Sequence, residues 1–217
     1  MAHLYNEETI SQAINTKWAG KTVHFARETD STNLWGKRAW REEGAGHGEL
    51  FVAEYQSAGR GRFTRRWSAP PDSAITMSIL ICPEFSPQKA PMLTLVMGLS
   101  VAQAVAELGL EVGIKWPNDV VVSRKKICGI LTEMTMKQDK IGCAVIGVGI
   151  NVNMESFPEE MADKATSLYL ESGHPFDRAQ VVGLVMKHFE ENYELEEEDQ
   201  LVCYGLYKNF MDFWKAL

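Results

Sequence analysis

The stretch that decides the fold is "KICGILTEMTM" (Lys126–Met136) with "KIGCAVIGVGINV" (Lys140–Val152), two apolar runs of strand length separated by three residues. So short a connection turns the chain back on itself, which is how antiparallel neighbours are joined. Just upstream, "VGIKW" (Val112–Trp116) and "VVVS" (Val120–Ser123) read the same way. Four short strands with little helix between them predict an antiparallel or mixed sheet.

Working outward, "AITMSILIC" alternates Ile75, Met77, Ile79 and Ile81 against Thr76, Ser78 and Leu80, the pattern of a strand buried mainly on one face. Leu93, Val96, Met97, Val101, Ala104, Val105 and Leu108 recur at helical spacing and predict a core helix over 89–108. "KTVHFARE" and "LFVAEYQ" read as strands, and "NEETISQAINTKW" as a short amphipathic helix. The small polar residues of "TDSTN" supply N-caps for a helix from roughly Thr32 to Glu43, which "GAGHG" ends. Past "MESFPEEMADKATSL", segments 177–194 and about 199–215 look helical. The expected class is α+β, a mixed sheet flanked by helices.

The 217 residues suit one large domain, or one with a small appendage. The longest apolar stretch is broken by Gly, Ser and Gln, and the N-terminus lacks a signal-peptide pattern, so a cytoplasmic protein without a membrane partner is expected. Cys82, Cys128, Cys143 and Cys203 lie far apart in sequence and predict free thiols rather than disulfides or a zinc site. The acidic run Glu190, Glu191, Glu194, Glu196, Glu197, Glu198 and Asp199 reads as a solvated face or linker. A formal net charge of −7 argues against a nucleic-acid partner, because phosphate neutralisation supplies most of that affinity.

Against that acidity, "AGRGRFTRRW" (Ala58–Trp67) concentrates four arginines and two glycines. Bare glycine brings main-chain N–H groups close to a ligand, and guanidinium forks suit phosphate or carboxylate. Trp67 is an aromatic able to cover a ring. "KWPND" (Lys115–Asp119) is a turn richer in functional side chains than turning requires, with Lys115 and Asp119 offering opposite charges. "RKKICGIL" carries Lys126 at the mouth of a strand and Gly129 inside it. "GVGIN" ends the next strand with Gly147, Gly149 and the amide of Asn151, which fits a flat heterocycle against bare backbone. These segments would converge on one pocket if their strands share a sheet.

At "ETDSTN", "AEYQSAGRGR", "KWPND", "KKICGIL" and "GVGIN", in this order, the chain resembles the biotin protein ligases over about residues 22–195. The resemblance implies a catalytic domain like that of class II aminoacyl-tRNA synthetases, with helices largely on one side of a mixed sheet. It implies two steps: biotin's carboxylate attacks the α-phosphorus of ATP, with Mg2+, and a lysine of a biotin carboxyl carrier protein then takes the biotinyl group. On this likeness Ser31, Thr32, Asn33 and Gln56 hold the biotin head. Gly59, Arg60, Gly61 and Arg62 form a loop closing over carboxylate and phosphate. Lys126 contacts both, and Gly129 and Ile130 offer main-chain contacts to biotin. Arg62, Trp67, Lys115, Asn118, Gly147, Gly149 and Asn151 fall on the nucleotide side. Asp119 is a catalytic candidate, as a metal or polar partner or as an aid in deprotonating the incoming lysine.

Thr64 stands where the family's loop often has a second glycine, so the loop is expected to be less permissive there. The chain is read as one catalytic domain over 1–217, with no room for a winged helix-turn-helix before "STN" and with the family's C-terminal SH3-like domain expected to be absent. Other readings stay open: a lipoate- or octanoate-protein ligase of the same fold, a non-catalytic biotin-binding or sensor module, and a nucleic-acid binder. A homodimer is an open expectation.

Overall fold

A computed structural model of the chain describes residues 4–195. Its seven strands are β1 (Val23–Thr29), β2 (Leu50–Gln56), β3 (Ala74–Ile81), β4 (Val112–Lys115), β5 (Asp119–Val122), β6 (Lys125–Lys137) and β7 (Lys140–Asn151). They form a single sheet in the order β1-β2-β3-β7-β6-β5-β4. Only β1 and β2 run parallel; every other pair is antiparallel. The sheet is mixed for a chain-length reason. β4 to β7 are joined by short turns, whereas the β1–β2 crossover is long enough to hold a helix.

That helix is α2 (Thr32–Arg38), extended by a π-helical turn Ala39–Glu43 and stopped by Gly44 in the left-handed conformation. The other helices are α1 (Glu7–Ala13), α3 (Pro91–Glu107), α4 (Glu159–Ala162), α5 (Leu168–Ser172) and α6 (Arg178–Tyr193). α1, α3 and α6 share the main hydrophobic core with Ile75, Met77, Ile79, Ile146 and Ile150 on one face of the sheet. α2 and the arginine segment lie on the other face. By length and composition α3, with the turn before it, could cross a membrane, but it is the core helix here, packed against β4–β7 and α6.

Three expectations change. β3 is buried at all eight positions rather than mainly on one face, because α2 covers the side carrying Ser78 and Leu80. α4 and α5 interrupt a stretch whose sequence announced no helix. Glu190 is no solvated acid: its carboxylate accepts hydrogen bonds from the backbone amides of Lys17, Trp18 and Ala19 at 2.7–3.0 Å. Burial alone would raise its pKa, yet these three amides hold it below the usual carboxylate value. The helix expected over 199–215, Cys203, the acids Glu196–Asp199 and the expectations about a C-terminal domain fall outside the described residues.

Candidate active site

The sheet brings the separate sequence segments to one place. A cleft of about 1510 Å³ opens between the arginine segment and the α2-bearing face, lined among others by Thr32, Gln56, Arg62, Lys126, Gly149 and Asn151. Among the described residues, eight Lys and Arg side chains line it against a single carboxylate, Asp119. The acidic chain thus concentrates positive charge inward, on one concave surface.

One irregularity in the sheet sets its chemistry. Asp119 pairs with Gly129 and Val121 with Lys126, so Ile127 is an extra residue, a β-bulge between Val120 and Val121. Side chains alternate along a strand, and one inserted residue moves Lys126 onto the face it would otherwise turn away from. It lands beside Asp119, with Lys126 Nζ donating to Asp119 Oδ1 at 2.6 Å. Lys115 stands opposite Asp119 in the β4–β5 ladder, so the two charges expected to share a site do so.

At the other end, the start of α2 is held by side chains rather than left open. Thr32 N and Oγ1 both donate to Gln56 Oε1, at 2.8 and 3.1 Å. The Ser78 hydroxyl lies 2.6 Å from Asn33 Oδ1 and 2.7 Å from Thr32 Oγ1. Asn33 Nδ2 donates to Leu131 O and to Glu133 Oε2. Ser31 is buried at the N-cap position without a side-chain cap bond. Asp30, just before it, accepts from Ser31 N and forms a two-pronged pair with Arg38 at 2.7 and 2.9 Å. Those Arg38 bonds hold the Asp30 pKa at about 2.

The arginine segment folds as a tight hairpin over the sheet. Gly61 N donates to Arg65 O, Arg65 N to Arg62 O and Trp67 N to Gly59 O. Phe63 and Thr64 form its tip at φ 52° and 62°. A β-branched residue in the left-handed region costs roughly 1–2 kcal/mol, so Thr64 makes the tip less permissive in the sense expected from its sequence. Arg62 Nη1 donates to Asn118 Oδ1 at 2.8 Å, and Arg60 Nη1 pairs with Glu133 Oε1 at 3.1 Å. The Trp67 indole lies directly on Gly149, where any Cβ would collide with the ring, and reaches Gly129, which faces Gly149 across the β6–β7 ladder. Trp67 Nε1 is buried there without a hydrogen-bond partner. The flat surface expected to receive a ring therefore exists, and Trp67 is the ring against it.

Some candidates are engaged by neighbouring residues rather than turned freely into the cleft. A Cβ on Gly147 would strike the Asn33 amide, so this glycine makes room for Asn33. Asn118 pairs with Ile130 like a short strand: Ile130 N donates to Asn118 O, and Asn118 Nδ2 to Ile130 O. Asn151 Nδ2 donates to Thr166 O, fastening the segment after α4 alongside Lys126, whose N–H and C=O pair with Lys164 and Thr166. Sequence reasoning missed Glu133, the shared partner of Asn33 and Arg60. Its only sequence signal was a charge within an apolar strand.

Mg2+ usually takes one or two protein carboxylates and completes its shell with water and substrate phosphates. Among the described residues no cluster of three acidic, His or Cys side chains could hold an ion. Asp119, the one carboxylate lining the cleft, fits a nucleotide-borne Mg2+ as a single protein ligand, shared with Lys126.

Fold and site together define a class: an α+β domain with a cation-rimmed pocket on the sheet face opposite its long helices. The model of the biotin/lipoate A/B protein ligase family matches residues 25–151, and the chain belongs to that family. It is 44% identical over 87% of its length to the "Bifunctional ligase/repressor BirA" of Bacillus spizizenii, covering 58% of that protein. It is 40% identical over 56% of its length to the "Biotin--[acetyl-CoA-carboxylase] ligase" of Mycobacterium tuberculosis, covering 45% of that protein. The biotin protein ligase of Aquifex aeolicus, solved with biotin and ATP, superposes with a TM-score of 0.73 at 34% identity, over 88% of this chain and 78% of that one. The chain spans about half the length of the curated relatives it matches.

Proposed function

We propose that the chain is an ATP-dependent, AMP-forming biotin–protein ligase of the cytoplasm. A carboxylate oxygen of biotin attacks the α-phosphorus of ATP, the bond to the β-phosphate oxygen breaks, and biotinyl-5'-AMP and pyrophosphate result. The ε-amine of a carrier lysine then attacks the biotinyl carbonyl, AMP leaves, and the amine loses a proton as the amide forms.

The observation that carries this reading is the meeting of Lys126, Arg60 and Arg62 around one cleft with a single acid. Carboxylate and phosphate repel each other, so the first step needs fixed positive charge between them. Lys126 is proposed to supply it on the sheet side, with Arg60 and Arg62 above. Ser31, Thr32, Asn33 and Gln56 offer polar groups for biotin's ring, and Gly129 and Ile130 a main-chain edge. Arg62, Trp67, Lys115, Asn118, Gly149 and Asn151 are assigned to the nucleotide side, two of them through the neighbours described above, whereas Gly147, first expected there, is assigned to the biotin side because it makes room for Asn33. Mg2+ bound to the nucleotide would neutralise part of the phosphate charge. Asp119 orients Lys126 through their hydrogen bond and is the proposed group to take the proton from the incoming amine.

The test is a mass spectrum of an apo biotin carboxyl carrier domain after incubation with the chain, biotin and Mg-ATP. One added biotinyl group on one lysine supports the reading. Pyrophosphate exchange with lipoate or octanoate but not biotin would replace it with the related acyl ligase. Biotin binding without adenylate formation would make the chain a binding module.

A further inference from the structure

We infer that Glu133 is a positioning residue for the arginine hairpin, latching Arg60 to the sheet while holding Asn33 at the ring end of the same cleft. The inference rests on the proposed ligase reading for its functional consequence, but the latch itself is a property of the chain alone.

Glu133 sits in β6 two residues past Leu131, on the face that carries Gly129. Its two oxygens are divided among three residues of two segments, α2 and the hairpin. Oε2 accepts from Asn33 Nδ2 at 2.9 Å; Oε1 is shared by Lys37 Nζ at 3.0 Å and Arg60 Nη1 at 3.1 Å. The Glu133 and Lys37 side chains are only 18% and 16% exposed, whereas that of Arg60 is 44% exposed. Burial opposes the charge on Glu133, but Asn33, Lys37 and Arg60 outweigh it and hold the carboxyl below its ordinary value. The carboxylate is therefore ionised at neutral pH.

The asymmetry between the two cations gives the arrangement its consequence. Lys37 is fixed on α2 and half-enclosed with Glu133, so it remains as a counter-charge if Arg60 swings away. Arg60 can then exchange Glu133 for a ligand anion without stranding a buried, unpaired carboxylate, a loss that would otherwise cost far more than one exposed ion pair. Arg60 is held loosely enough to be recruited and firmly enough to stay near the cleft. Asn33, on the other oxygen, ties the latch to the ring end, so the hairpin and the start of α2 share one anchor.

Amide hydrogen exchange of residues 59–67 in the ligand-free chain tests the latch without any assumption about substrate. Glu133→Gln keeps an amide oxygen for Asn33 but removes the charge. Exchange across the hairpin should speed up about three- to fivefold, the yield of one partly exposed ion pair, with that of 31–36 unchanged. Arg60→Met should give the same acceleration, and the double variant no more than either single one. Unchanged exchange in Glu133→Gln, or accelerations that multiply in the double variant, would overturn the inference. For the functional consequence, Glu133→Gln should leave the biotinyl-AMP off-rate within about twofold, because Arg60 has already left Glu133 in the bound state, while its association slows about three- to fivefold. An equal change in both rates would mean that Glu133 only supports the fold. If the chain bound no biotin, hydrogen exchange would still decide the latch and the ligase reading alone would fall.

Discussion

Lys126 is the residue on which the proposed chemistry turns, and its place shows how little separates function from packing. Its Nζ lies 2.6 Å from Asp119, about a third exposed, at the mouth of the cleft. Removing one preorganised charge that matters only as charge develops costs about 10²- to 10³-fold in rate. Lys126→Ala should therefore lower adenylate formation by about that factor while biotin affinity falls far less, measured by pyrophosphate exchange beside titration calorimetry. Arg60→Gly and Arg62→Gly should instead shorten the life of bound biotinyl-AMP, read as a faster off-rate, because each removes a cation proposed to face the bound anion from the hairpin. Lys126, Arg60 and Arg62 were legible as candidates from their neighbours in sequence. Glu133 was not, because a single acid among apolar residues looks the same whether it faces solvent or clasps three donors.

At the scale of elements, the bulge in β6 and the close approaches at β7 shape the site. The bulge turns Lys126 towards Asp119, and no residue type in "KKICGIL" announced it. Gly147 and Gly149 were noticed as bare backbone fit for a ligand, yet their first neighbours are the Asn33 amide and the Trp67 indole. Gly147→Ala should break the Ser78–Asn33 contact and cost about 1–3 kcal/mol, as overpacking a closed site does. A lower urea midpoint together with weaker biotin binding is the expected result, whereas loss of ATP binding alone would put Gly147 on the nucleotide side. The helices at 89–108 and 177–194 were legible because their apolar spacing is long and regular. α4 and α5, of four and five residues, carry too little periodicity to read.

Across the whole molecule, carboxylates with depressed pKa values tie distant segments together. Glu190 of α6 collects the amides of Lys17 to Ala19, Asp30 grips Arg38, and Glu133 joins β6 to α2 and the hairpin. Each has a folded pKa below its unfolded value, so its contribution is present above the unfolded pKa and lost as pH falls through the folded one. For Asp30 that window runs from 3.8 down to about 2. The urea midpoint should therefore hold steady near neutral pH and drop below about pH 4, and Glu190→Gln should flatten part of that drop. A drop of equal size in the variant would remove Glu190 from this account. The same scale brings Cys82 against the cluster containing Cys143, thiols 61 positions apart in sequence that stay free.

The sequence by itself determined the strand succession from Val112 to Val152, the long helices, and the set of segments carrying cations and glycines, because these are written in local periodicity and residue type. Only the tertiary structure decided which of those groups meet. Sheet order sets β7 beside β3, a single inserted residue aims Lys126, and packing gives Glu133 to Asn33, Lys37 and Arg60. Such facts depend on register and on contacts between residues far apart in the chain, and no local pattern encodes them.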